Sequence, residues 1–214
     1  MHAIILVFAT LLALWPARSL AECNQCRGDF NNDGEVSINE LILAVNNALY
    51  GCPPRFTDNG DGTITDSTTG LMWEKKSDDT SIHAQGDTYT WSTGAPTAQN
   101  GTVFSTFLAT LNAQPCFAGH CDWRLPSIIE LQSLVDYARY NPATEPAFNT
   151  ACAQGCTVRQ CSCTRADGDV YWTSSIYEDP SVAGQIWAVD FNNGVPIPYD
   201  AQDPHYARAV RSGS

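Results

Sequence analysis

Between positions 122 and 138 the chain changes from an alternating to a helical rhythm. Trp123 and Leu125 flank Arg124, which predicts a short extended run with the Trp and Leu turned inward. Pro126 cannot continue a helix from its left and biases Leu125 toward extended backbone. Ser127 and Glu130 then stand at the spacing of a capping box, in which each side chain takes an otherwise free backbone N–H. Ile128, Leu131, Leu134, Val135 and Ala138 recur at helical intervals and predict a helix of about three to four turns.

Val103, Phe104, Phe107, Leu108 and Leu111 predict a second amphipathic helix. Leu41, Val45, Ala48 and Leu49 share one face of an earlier helix, with Gly51 placed to end it. Strand signals are shorter. Residues 56–57 and 63–65 surround the turn Asn59-Gly60-Asp61-Gly62, and residues 71–73 follow the turn Ser67-Thr68-Thr69-Gly70. Residues 171–174 read as a strand, as does the alternation of Trp187, Val189 and Phe191 with Ala188 and Asp190. Asn192-Asn193-Gly194 turns into Val195, where Pro196 and Pro198 demand an edge position. Residues 206–211 close the chain as a last strand, and residues 75–100 and 141–168 are polar and read mostly as loop. The predicted class is α+β.

Ahead of the Leu41 helix, residues 29–40 fit the calcium-loop pattern Asp-x-Asn-x-Asp-Gly-x5-Glu. Asp29, Asn31 and Asp33 supply side-chain oxygens at loop positions one, three and five, and Glu35 offers its carbonyl at seven. Ser37 stands at nine, and Glu40 closes the shell at twelve with both oxygens. Gly34 permits the sharp turn at six. The expected cofactor is Ca2+. The segment resembles one half of a dockerin, or a lone EF-hand, over residues 22–52, with Pro53-Pro54 as a stiff linker.

The chain of 214 residues has room for one sizeable domain, residues 55–214, beside that small module. Residues 1–21 read as a secretory signal, with an apolar run too short to cross a bilayer and Ser19-Leu20-Ala21 at the cleavage point. No other long apolar run exists, so a secreted protein without membrane insertion is expected. The formal net charge of −12 grows more negative once that segment is removed, because it carries Arg18 and no acid. So acidic a chain is a poor partner for nucleic acid or anionic membranes.

All 9 cysteines follow residue 21, and in an exported chain they read as disulfides. Cys116 and Cys121 close a small loop. Cys152, Cys156, Cys161 and Cys163 could offer four thiolates to zinc. Export favours disulfides there, nested as Cys152–Cys163 and Cys156–Cys161, and no zinc is expected. Cys23, Cys26 and Cys52 remain, one of them without an intramolecular partner. A bridge from Cys23 or Cys26 to Cys52 would staple the small module.

The run Asp122-Trp123-Arg124-Leu125-Pro126-Ser127, completed by Glu130-Leu131, resembles the signature of the Lcl C-terminal domain family, named for a bacterial collagen-like adhesin. Further pieces match in order: residues 55–66, Thr69-Gly70-Leu71-Met72-Trp73, Tyr171-Trp172-Thr173-Ser174-Ser175, Trp187-Ala188-Val189-Asp190-Phe191 and Ala209-Val210-Arg211. The resemblance spans roughly residues 55–211 and implies an extracellular protein. The family's named member binds sulfated glycans, which the acidity of this chain opposes unless arginines gather on one face. The Arg-Leu-Pro segment is also similar to one in formylglycine-generating enzymes, and by that analogy a C-type-lectin-like fold with two helices and antiparallel strands is expected. The paired C-terminal cysteines of those enzymes have no counterpart in residues 204–211, so their oxidase activity is not expected.

No catalytic motif is present. Gly-x-Ser-x-Gly, His-Glu-x-x-His and a phosphate loop are all missing, and His83, His120 and His205 lie far apart in polar stretches. The expected function is therefore a secreted, calcium-binding, adhesin-like module that recognises an extracellular glycan or cell surface and is not an enzyme. Tyr89, Trp91, Tyr177 and Tyr199 are the candidate sugar contacts. The alternative is a secreted hydrolase, or a component of a polysaccharide-degrading assembly, with an acidic site that no motif marks.

Overall fold

The computed structural model describes residues 35–213 apart from Cys52 and residues 95–96. The chain divides into two compact units that meet between Pro54 and Arg55.

The described part of the first unit is helix α1 (Ile38–Tyr50). Ser37 caps it with a full capping box: its hydroxyl accepts the Glu40 N–H, and the Glu40 carboxylate accepts the Ser37 N–H at 2.8 Å. Gly51 ends the helix at φ 86°, donating its N–H to the Asn47 carbonyl. Ile38, Leu41, Ile42, Val45 and Leu49 are exposed, while Glu40 and Asn47 are buried.

The second unit holds nine short strands, introduced in chain order as β1 (Phe56–Asp58), β2 (Thr63–Asp66), β3 (Leu71–Glu74), β4 (Thr88–Thr90), β5 (Tyr171–Ile176), β6 (Gln185–Asp190), β7 (Val195–Asp200), β8 (Pro204–Tyr206) and β9 (Val210–Ser212). One sheet has the order β1-β2-β3-β9, and the other has β4-β8-β5-β6-β7. All pairings are antiparallel except β5 with β8. The architecture is α+β. The β1–β2 turn is built from its own acids: Asp58 accepts the Gly60 N–H and Asp61 accepts the Thr63 N–H. Gly60 and Gly62 both have positive φ, and a Cβ on Gly62 would come within 2.9 Å of Val158. β7 lies at the sheet edge, where Pro196 and Pro198 need donate no ladder N–H.

Four expectations change. Residues 206–211 are not one strand: β8 belongs to one sheet and β9 to the other. The chain crosses between them at the fully buried Arg208, which donates to the carbonyls of Glu74 and Cys163. The stretch 75–100, read as loop, supplies β4 and core residues as well. The Val103–Leu111 pattern forms a π-helical segment (Val103–Leu108) running into the short helix α2 (Ala109–Asn112). The helix after Pro126, α3 (Ile128–Gln132), is a turn and a half rather than three or four. It stops because the Leu134 carbonyl accepts from the Glu145 N–H and the Thr144 hydroxyl, contacts that replace a further helical turn.

The Asp-Trp-Arg-Leu-Pro-Ser stretch joins the two sheets. Arg124 exchanges both backbone hydrogen bonds with Val210 of β9. Pro126 accepts the Ser174 N–H, and the Ser175 hydroxyl accepts the Ile128 N–H, tying the same stretch to β5. Trp123 and Leu125 are buried as their alternation predicts, and the Trp123 indole donates to the Phe117 carbonyl. The Ser127–Glu130 capping box is complete, and the Arg124 guanidinium grips Glu130 at 2.9 and 2.7 Å. Two apolar clusters form the core, one around Trp91, Trp123 and Trp172, the other around Trp73, Phe148 and Tyr171. Truncating one such aromatic to alanine costs about 3–5 kcal/mol.

Candidate ligand-binding surface

A polar groove of about 610 Å³ opens beside the loop that follows α3. Local chemistry shapes this loop. Asp136 accepts the Ala138 N–H and the Arg139 guanidinium, folding the loop back on itself. Asn141 sits at φ 49°, a conformation Asn tolerates better than most residues, and its N–H reaches the Asn192 carbonyl. The far wall is Pro146, Asn149, Thr150 and Ala151. Thr150 is pinned there by two backbone bonds to Ser162 and by its hydroxyl on the Pro146 carbonyl.

Two tyrosines stand out on this loop. Tyr137 is 69% exposed and Tyr140 is 71% exposed, and they are the only exposed large aromatics among the described residues. Tyr140 lines the groove beside Arg139. Both hydroxyls have hydrogen-bond partners. Asn192 donates to the Tyr140 hydroxyl at 3.3 Å, and the Tyr137 hydroxyl donates to the Gly194 carbonyl at 3.4 Å. Gly194 is required there, since a Cβ would meet Val135 at 2.4 Å and the Tyr137 ring at 3.1 Å. The β6–β7 turn thus contacts Tyr140, and Asp136 holds Arg139, beside a groove with amide and hydroxyl groups. That combination suits a polyhydroxylated ligand, which offers apolar ring faces and many hydrogen-bonding groups.

The tyrosines and tryptophan chosen from the sequence fare differently. Tyr89 and Trp91 are core residues, 6% and 0% exposed, and offer no face to a surface ligand. The Trp91 indole donates to the Thr173 carbonyl, and burial pushes the Tyr89 phenol up in pKa. Tyr199 is half-buried with its ring on His205. Tyr177 is half-buried on Trp187 and lines a second, more open depression with Glu178 and Asp179. Sequence patterning missed Tyr137, Arg139 and Tyr140. It placed Ala138 on an α3 longer than the one that forms.

Of the calcium-loop residues, Asp29, Asn31 and Asp33 lie outside the described residues. Glu35 is exposed, and Ser37 and Glu40 form the α1 cap. Cys23, Cys26 and Cys52 also lie outside them. Three cysteine pairs are joined in the second unit: Cys116–Cys121, Cys152–Cys163 and Cys156–Cys161.

Two of the described histidines pair with carboxylates. His83 Nδ1 is 2.7 Å from Glu74, and His205 Nδ1 bonds Asp169. Glu74 is wholly buried and also meets Lys76 at 3.2 Å and the Ala209 N–H at 2.9 Å. Burial alone would raise the Glu74 pKa, but Lys76, His83 and the Ala209 N–H outweigh it and hold the carboxyl below its usual range. Burial drives the Lys76 ammonium down despite Glu74. This ion cluster borders neither depression.

No helix among the described residues is long and apolar enough to cross a membrane. No curated protein and no solved structure matches the chain. The Lcl C-terminal domain matches residues 62–211, a span that takes in the joining stretch, the groove and all three disulfides, and the chain belongs to that family.

Proposed function

We propose that the protein is an exported recognition module that binds an extracellular glycan in the Tyr140 groove and has no catalytic role. The observation that carries this reading is the pair of anchored, solvent-facing tyrosines, Tyr137 and Tyr140, on the loop bordering the groove. A sugar ring stacks on such a face while Arg139, Asn149 and Thr150 supply hydrogen bonds to its hydroxyls. Family membership and the three disulfides fit an extracellular or periplasmic protein, and the segment 1–21 is read as the signal that exports it. The loop 29–40 is read as a calcium site of extracellular-module affinity, a Kd on the order of 10⁻⁴–10⁻³ M, that steadies the small module.

A glycan array probed with the mature chain, with and without calcium, tests the reading. Specific binding is expected, and Tyr140→Ala is expected to weaken it at least about tenfold without unfolding the protein, since the ring is exposed. No glycan bound, or equal binding by Tyr140→Ala, overturns the groove as the site. Calorimetry with Glu40→Gln reads the calcium loop separately: no calcium heat at millimolar ion removes that part.

A further inference from the structure

Helix α1 buries its polar side and exposes its apolar one. Ile38, Leu41, Ile42, Val45 and Leu49 fall within about 100° of its circumference, the arc that an amphipathic helix gives to a core. They are instead 48% to 78% exposed, and none belongs to either apolar cluster. The buried side is the opposite one, with Glu40 and Asn47. Glu40 is held there by the Ser37 cap. A helix of 13 residues is marginal in water by itself, so the stripe needs a cover.

Three observations say what covers it. Glu40 is the only charged residue of α1 and lies on the buried side, so the stripe is neutral and offers a charged partner no complement. The order of residues is that of a two-stranded seam. Ile38 and Val45 stand seven apart, as do Leu41 and Ala48, which sets β-branched residues at one seam position and Leu at the other. The cysteine count supplies the third. Six of the 9 are joined within the second unit, leaving Cys23, Cys26 and Cys52, an odd number, in the first. One of them has no partner within its own chain. Parallel helices set each residue beside its own copy, which is what a symmetric bridge needs.

We propose that α1 is the interface of a parallel homodimer, two copies packed through Ile38, Leu41, Ile42, Val45 and Leu49 and tied by one disulfide between their first units. The bridge forms from two thiols by exchange with a disulfide oxidant of the exporting compartment, which takes up two electrons and two protons and leaves as a dithiol. This inference does not depend on the glycan reading.

Light scattering on the full mature chain, without reductant, is expected to give twice the chain mass. Non-reducing peptide mapping should find one bridge between chains from Cys23, Cys26 or Cys52. Val45→Glu and Val45→Lys should each weaken pairing at least about tenfold, because like charges meet at the seam. Co-expressed Val45→Glu and Val45→Lys copies should pair with each other, a rescue that a merely unfolded variant would not show. Leu43→Glu adds the same charge about 140° around the helix from Ile38 and should leave the mass unchanged. A parent chain that stays monomeric overturns the proposal, and so does a monomer that binds neutral lipid vesicles instead. A Val45→Glu chain as dimeric as the parent, or co-expressed copies that fail to pair, overturns α1 as the interface. A dimer that mapping shows to be unbridged overturns the disulfide.

Discussion

At the scale of single residues, Glu74 decides most. It is buried, which alone would raise its pKa, yet Lys76, His83 and the Ala209 N–H all point at it and hold the carboxyl below its usual range. Its backbone carbonyl also anchors Arg208, so one residue of β3 holds the crossing from β8 to β9. Breaking a buried ion pair from one side leaves the partner charge stranded. Glu74→Gln is therefore expected to cost about 3–5 kcal/mol in urea unfolding. The double variant Glu74→Gln with Lys76→Met should cost less than the single, since it removes the stranded ammonium. A Glu74→Gln protein as stable as the parent would mean that the cluster contributes nothing net.

At the scale of elements, the joining stretch 122–132 shows how little helix is needed when both ends are tied. α3 has five residues, below the length at which a helix is stable alone, so its cap and its tertiary bonds must hold it. Ser127 supplies the cap, and Glu130 serves twice, taking the Ser127 N–H and both arms of Arg124. Ser127→Ala is expected to lower stability by about 1 kcal/mol. A loss below a few tenths, read from denaturant midpoints, would show that Ile128 bonded to Ser175 holds the helix start by itself.

At the scale of the whole molecule, acid should unfold the second unit through its paired carboxylates. Burial raises Asp66 and Glu74, but Arg55 and Lys76 respectively, with further hydrogen bonds, bring both below their ordinary values. Arg124 lowers Glu130, against burial. A folded pKa below the unfolded one means that the unfolded chain binds more protons between the two, so stability rises with pH there. These contributions are complete above the unfolded range, near pH 4–5, and vanish as pH falls through the folded values. The opposing term is relief of self-repulsion in so acidic a chain, which salt screens. At 0.5 M salt the urea midpoint is expected to fall steadily from pH 5 to pH 3. A midpoint that rises over that window would show that self-repulsion wins.

Local chemistry was legible from the sequence because its causes are local. The capping box at Ser127 follows from four-residue spacing, the Gly60–Gly62 turn from backbone freedom, and the edge position of β7 from prolines that cannot donate, whereas the box at Ser37 formed from residues the sequence assigned to a calcium loop. The inward face of Trp123 and Leu125 follows from strand periodicity, and the ordered motifs carried the family. Tertiary structure decided what depends on distant partners. Trp91 looked like a loop residue because its neighbours are polar, yet its partner is Thr173, 82 positions away. The split of the last strand rests on Arg208 reaching Glu74, 134 positions away. The length of α3 reflects Thr144 and Glu145 donating to the Leu134 carbonyl, and Tyr137 and Tyr140 stand exposed on the loop that follows. Periodicity registers which side chains prefer to be buried; only the folded chain determines which of them find room inside.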